Sequence, residues 1–215
     1  FAANSSGKGI ELWKSDGTSD GTVLVKDIYS GSSSASPTSL TNVNGVLFFA
    51  ANSSGKGIEL WKSDGTDAGT VLVKDIYSGS SSSSPANLTA LGATLFFSAN
   101  NGTNGIELWK SDGTEAGTVL VKDVYSGSSS SSLANLRAMG SSLYFTATDG
   151  SKGVELWRSD GTEAGTFRVK DIYSGSTSST PSYLTVLDTT LYFTANNGTN
   201  GVELWRSDGT ETGTV

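Results

Sequence analysis

The 215-residue chain is acidic, with a net charge of −7, and it has no histidine and no cysteine. Those absences exclude Cys/His zinc and haem centres, thiol chemistry and every His-based triad, and the lack of a basic stripe excludes a nucleic-acid partner. With 27 glycines, 3 prolines and 35% hydrophobic residues, the composition is too Gly/Ser-rich for a large helical core. No apolar run reaches the roughly 18 residues of a membrane-spanning helix, so membrane insertion is not expected.

In chain order, Asn4–Gly9 reads as a polar loop, and Glu11-Leu12-Trp13 follows it in a strand. Ser15-Asp16-Gly17-Thr18-Ser19-Asp20-Gly21-Thr22 then reads as a hairpin loop of fixed shape. Its Asp can accept from nearby backbone amides, Gly17 can adopt positive φ, and Gly21 offers a second flexible point. Lys26-Asp27 closes the next strand and is expected to form paired or surface charges. Tyr29-Ser30-Gly31 opens a serine-rich crossover that Pro37 punctuates.

The same succession then restarts. Trp13, Trp61, Trp109, Trp157 and Trp205 each lie 48 residues after the previous one. A period of that length belongs to solenoids, propellers or arrays, and a unit this small is marginal as a separate domain. Within residues 86–124 the pattern predicts strands at Asn87–Leu91, Thr94–Ala99, Gly105–Ser111 and Thr118–Val124, none with helical periodicity. Leu95-Phe96-Phe97 and Val119-Leu120-Val121 are apolar on both faces, so their strands must be covered on both sides. Four short strands per repeat, sheltered by neighbouring sheets, predict an all-β fold: a β-propeller of four-stranded blades, read as one repeat domain over 1–215.

Residues 193–215 match residues 1–23 in phase, which leaves partial units at both ends. Five blades are favoured over four, and an open superhelical or fibre-forming array is the alternative. Because the sequence opens on Phe1, it is expected to be a piece of something longer. Near-identical units exchange register easily, which predicts self-association through the incomplete terminal units.

The stretches Glu59-Leu60-Trp61-Lys62-Ser63-Asp64-Gly65-Thr66 and Gly69-Thr70-Val71-Leu72-Val73-Lys74-Asp75-Ile76 resemble the ELWxxDGT repeat family of large bacterial secreted or surface proteins. All five copies keep Glu-Leu-Trp, Ser-Asp-Gly-Thr and Gly-Thr, so the resemblance spans nearly the whole chain. It implies an extracellular or cell-surface location. A looser similarity is to propeller lectins of comparable blade length.

Two sets of residues carry the functional expectations. Trp13, Trp61, Trp109, Trp157 and Trp205 are expected to fill the wedges between units, and Asp16, Asp64, Asp112, Asp160 and Asp208 to shape the hairpin loops. The loops Asn52–Gly57, Asn100–Gly105, Thr148–Gly153 and Asn196–Gly201, together with the Tyr-Ser-Gly crossovers, should share one rim. There Tyr29, Tyr77, Tyr125, Tyr173, Asn52, Asn100, Asn101, Asn196 and Asn197 are candidate ligand-binding residues for glycans.

No catalytic set is read, and no cofactor is implied. Calcium has weak support, since each loop offers one acidic side chain without alternating oxygen ligands. The function read from the sequence is a non-catalytic extracellular scaffold for surface adhesion or self-assembly. The alternative is a multivalent, lectin-like carbohydrate-binding module.

Overall fold

The computed structural model describes Phe1–Val215 as strands, turns and bends, without a helix. The first sheet has three strands, β1 (Ala2–Ser5), β2 (Gly9–Lys14) and β3 (Val23–Lys26). The second has four, β4 (Thr38–Val43), β5 (Val46–Ser53), β6 (Gly57–Ser63) and β7 (Val71–Lys74). The third repeats this with β8 (Ala86–Leu91), β9 (Thr94–Asn100), β10 (Ile106–Ser111) and β11 (Val119–Lys122). The fourth comprises β12 (Ala134–Met139), β13 (Ser142–Ala147), β14 (Glu155–Ser159) and β15 (Phe167–Lys170). The fifth again has three, β16 (Ser182–Leu187), β17 (Thr190–Asn196) and β18 (Val202–Ser207).

Strands run in sequence order across every sheet, as short turns dictate. In the second sheet Asn44 (φ 49) and Gly45 (φ 87) connect β4 to β5, the two-residue, positive-φ hairpin that suits the twist of paired strands. Two irregularities recur. The first strand of a complete sheet shifts register where a non-glycine residue takes positive φ, as at Asn87 (φ 57). The third strand bulges just before its tryptophan, between Leu60 and Trp61 in β6.

The chain divides into two compact units, Phe1–Gly102 with Ser111–Thr118, and Thr103–Lys110 with Val119–Val215. In the first, Leu12, Val25, Ile28 and Ala35 pack with Phe49, Ala51 and Trp61, so the core lies between the first and second sheets. In the second, Tyr144, Leu156, Val169 and Ile172 pack with Leu184, Leu191, Phe193 and Ala195 in the same way. The second strand of each complete sheet is buried on both faces, as its continuous apolar run requires: Phe48 and Phe49 are both inside, as are Phe96 and Phe97. The incomplete sheets differ from the complete ones in a definite way. The first lacks the leading strand of the pattern, while the fifth lacks the last, represented only by Val215 hydrogen-bonded to Arg206 in both directions.

Candidate functional site

Four of the five glutamates of Glu-Leu-Trp are buried charged groups. Glu11, Glu59, Glu107 and Glu155 are fully inaccessible. Alternation along the third strand turns each inward, and each carboxylate then holds the crossover that follows its own sheet. Glu59 accepts from the Ile76 amide at 2.8 Å, the Ser83 amide at 2.8 Å and the Ser83 hydroxyl at 2.6 Å. Glu155 repeats this with Ile172 and Ser179. Glu107 receives the amides of Val124 and Ser131, and Glu11 those of Ile28 and Ala35. These amides lie outside the strands, so the glutamate supplies acceptors that no sheet provides. Burial raises all four carboxyls above their ordinary value, Glu107 to about 7. The sequence reading passed over these glutamates; their signal was the invariance of Glu beside Leu-Trp in all five copies.

Lys26 and Asp27 are paired charges, as expected, though not with each other: Lys26 reaches Asp67 at 3.3 Å. Asp27 instead binds Lys8 at 2.7 Å, Asp75 binds Lys56 at 2.7 Å and Asp171 binds Lys152 at 3.0 Å, tying each loop to the following strand end. In the third repeat Asn104 takes the lysine's place and reaches Asp123 at 2.8 Å. The other oxygen of Asp27, Asp75, Asp123 and Asp171 is buried without a hydrogen-bond partner. The neighbouring lysines point onward to the next repeat: Lys74 donates to the Thr118 carbonyl at 2.8 Å, Lys122 to Thr166 at 2.9 Å and Lys170 to Thr214 at 2.7 Å.

Those carbonyls belong to the Asp-Gly-Thr loops. Asp16 accepts from the Thr18 amide at 2.9 Å and the Thr18 hydroxyl at 2.7 Å, and Asp64, Asp112, Asp160 and Asp208 do the same in their loops. The threonine hydroxyl and then its amide hold these carboxyls below their ordinary value. Gly17 has φ 93, as the loop reading requires. Gly21 has a different reason from the one expected. The Asp16 carboxylate occupies the space a Cβ would need, so close approach rather than flexibility demands glycine.

Trp61, Trp109 and Trp157 are buried, whereas Trp13 and Trp205 in the three-stranded sheets are partly exposed. At the start of the third strand the chain meets the crossover: the Ile58 amide donates to the Ser82 hydroxyl at 2.9 Å. Tyr77, Tyr125 and Tyr173 are half-buried, each lying against the loop glycine of the next repeat, Gly102, Gly150 and Gly198. Tyr29 packs on the core of the first unit.

The asparagines are engaged locally. Asn100 accepts from the Gly102 amide, Asn196 from Gly198, and Asn197 from Thr199 and Asn200. Asn101 is half-buried, and Asn52 pairs with Ile58 in the β5–β6 ladder. The structure therefore sets Tyr77, Tyr125 and Tyr173 against loop glycines, while Asn100, Asn196 and Asn197 accept from amides of their own loops. No group of three or more acidic side chains forms a cation-binding cluster.

No family model matches the chain, and no curated protein matches it. Among solved structures, a puromycin hydrolase is similar with a TM-score of 0.56 at 14% identity, over 89% of this chain and 30% of its own. The computationally designed Ika8 protein gives 0.48 at 19% identity, over 98% and 58%. A Bacteroides ovatus xyloglucan PUL GH43B protein gives 0.38 at 16% identity, over 81% and 39%. The chain spans less than two thirds of each, and the likeness to the puromycin hydrolase is one of fold.

Proposed function

We propose that this chain is a non-catalytic extracellular repeat scaffold, a β-propeller of five blades of the ELWxxDGT type, used in surface adhesion or self-assembly. One observation carries the reading: the polar residues that the repeats share bind mostly their own repeat or the next. The Glu of Glu-Leu-Trp holds a crossover in four of the five copies, the Asp of Asp-Gly-Thr holds its loop, and the lysine ending each fourth strand reaches the following loop. Repeated identical carboxylates of this kind do not provide the two unlike acids that glycoside hydrolysis needs. Sedimentation across a wide concentration range tests the reading. Concentration-dependent oligomers or fibres are expected, and a strictly monomeric particle contradicts assembly.

A second reading, multivalent glycan binding, draws on the half-buried Tyr77, Tyr125 and Tyr173 rings beside glycine backbone and serine-rich crossovers. It expects saturable sugar binding that weakens together with Tyr77→Ala and with changes in the Asn52–Gly57 loop. A flat glycan screen and a flat direct titration would remove it.

A further inference from the structure

Where one repeat departs from the others, the fold can supply the new side chain with a partner. Phe167, at the place of Val23, Val71 and Val119, lies under the Arg158 guanidinium, 5.5 Å from its ring centre. Arg168, at the place of Leu24, Leu72 and Leu120, binds Asp149 at 2.9 Å. Tyr183 and Arg137 depart from the pattern as well, and their free surfaces have no such partner.

Tyr183 is the second residue of β16. In all four leading strands this position is exposed and has positive φ: Ser39 (56), Asn87 (57), Asn135 (57) and Tyr183 (57). Asparagine enters the left-handed region readily because its short amide bonds locally, and Asn87 and Asn135 donate to the Ser98 and Thr146 hydroxyls. A tyrosine there bears the steric strain without that bond. Its ring is 82% exposed, so burial does not offset the strain either. A strained, solvent-facing aromatic residue points to a role outside the fold.

Arg137 stands in β12, which packs beside β16. Its counterpart Thr41 sends a hydroxyl to the Leu88 carbonyl of the next leading strand at 3.4 Å. Arg137 keeps that link, with Nε donating to the Leu184 carbonyl at 3.0 Å and Nη1 to the Leu136 carbonyl at 2.8 Å. The two bonds fix the guanidinium one peptide from Tyr183 and leave its Nη2 donors unused. Arg137 is exposed, and none of the chain's ion pairs involves it. Beside it, Asn135 engages its amide hydrogens with Thr146 and the Pro181 carbonyl, which leaves Oδ1 as an acceptor.

A fixed guanidinium edge is a fork for a carboxylate, and an exposed phenol ring covers a C–H face. The acidic chain, at net charge −7, repels polyanions, which favours a ligand with one acidic group. We infer that Arg137 and Tyr183 form a single, unrepeated binding site for a hexuronate residue. The guanidinium takes the carboxylate, the Tyr183 ring covers the sugar face, and Asn135 Oδ1 accepts from a ring hydroxyl. This site goes beyond both readings above, since it uses none of the rim tyrosines and occurs once instead of once per repeat.

The test titrates the chain with methyl glucuronide, methyl glucoside, benzoate and an oligothymidylate, following backbone amides by NMR. The glucuronide should bind saturably, shift β12 and β16 resonances, and bind roughly ten-fold more tightly than the glucoside. Arg137→Thr, which installs the residue found at 41, 89 and 185, should abolish that preference. Tyr183→Asn, which installs the residue found at 87 and 135, should weaken both sugars roughly three-fold or more. Its unfolding temperature should not fall, because asparagine suits the backbone.

Flat glucuronide titrations, or binding indifferent to Arg137→Thr, overturn the inference. Benzoate or the oligonucleotide binding as tightly as the glucuronide also overturns it, by assigning the site to another ligand. A lowered unfolding temperature in Tyr183→Asn would return the ring to the fold and remove it from the site. Sugar binding lost with Tyr77→Ala but untouched at Arg137 and Tyr183 would keep the rim reading and end this one. The converse result would keep this site and end the rim reading.

Discussion

β6 and β18 contain the same three residues in the same register, with opposite fates. Glu59-Leu60-Trp61 is enclosed, its carboxylate saturated by the following crossover. Glu203-Leu204-Trp205 lies open, although β17 and β18 pair just as β5 and β6 do. The strands of a sheet are therefore insufficient to build this core. What encloses the motif is the crossover that follows it, whose amides lie 17 and 24 residues downstream in the enclosed repeats, together with the next sheet, as Leu12 packs with Phe49 and Ala51 and Leu156 with Leu184, Leu191 and Phe193.

The sharpest way to break this comparison is to remove the carboxylate from each site. Glu59→Ala leaves two amides buried without an acceptor, at about 1–3 kcal/mol each, and the Ser83 hydroxyl with only the Ile58 carbonyl at 3.4 Å. A loss of about 4–6 kcal/mol in urea unfolding is expected, while Glu203→Ala should leave the midpoint unchanged. A comparable loss for both would show that the downstream segment is irrelevant.

Next in size is the aromatic residue at the middle of each complete second strand, whose counterpart in the first sheet is Phe1. Phe97 is inaccessible and Phe1 is 49% exposed. Phe97→Ala should cost about 3–5 kcal/mol, the range of buried Phe truncations, and Phe1→Ala far less. Equal costs in thermal or urea unfolding would contradict the burial contrast.

The rim gives a smaller effect. A Cβ at Gly102 (φ 83) would come within 2.6 Å of the Tyr77 ring, whereas Gly79 (φ 93) faces open space. Gly102→Ala should therefore cost about 1–3 kcal/mol through strain and collision together. Gly79→Ala should cost only the backbone strain, about 1 kcal/mol. If the two are indistinguishable, Tyr77 does not pack on the loop.

The smallest expected effect is electrostatic. Burial lifts Glu107 from 4.5 to about 7, so the folded state binds its proton more tightly than the unfolded chain. Its contribution is complete below the unfolded value and is lost as pH rises toward 7. The loop aspartates run the other way. Their lowered pKa contributes stability above the ordinary 3.8 that is lost as pH falls. Urea midpoints should thus decline from pH 5 to pH 8. Asn104→Lys, which restores the cation found beside Asp75, should flatten that decline. A midpoint rising over this interval would contradict the sign.

Much of the local architecture was legible in the sequence because it depends on short-range rules. The strands expected at Asn87–Leu91, Thr94–Ala99 and Gly105–Ser111 appear at Ala86–Leu91, Thr94–Asn100 and Ile106–Ser111. The fourth, expected over Thr118–Val124, is shorter at both ends, Val119–Lys122, since Val124 leaves the ladder to give its amide to Glu107. The Asp-Gly-Thr loop was readable for the same reason: its bonds stay within a few residues.

The clamp was not readable as such, because a charged residue in a strand looks like a solvent-facing one until a distant segment arrives to bind it. Lys26 and Asp27 hid their partners for a related reason. They are adjacent in sequence, yet alternation sends them toward different partners, Asp67 and Lys8. Among the rim candidates, Tyr77, Tyr125 and Tyr173 lie beside the glycine loops, and Asn100, Asn196 and Asn197 are taken up by their own turns, which satisfy them first.

The central claim is that each buried glutamate fastens the crossover joining its sheet to the next. Amide hydrogen exchange by NMR reads this most directly. In the parent chain the amides of Ile76, Ser83, Val124, Ser131, Ile172 and Ser179, all outside strands, should exchange slowly. Glu59→Ala should selectively accelerate Ile76 and Ser83 and leave the other four protected. Unchanged protection at Ile76 and Ser83, or fast exchange at all six in the parent chain, would contradict it.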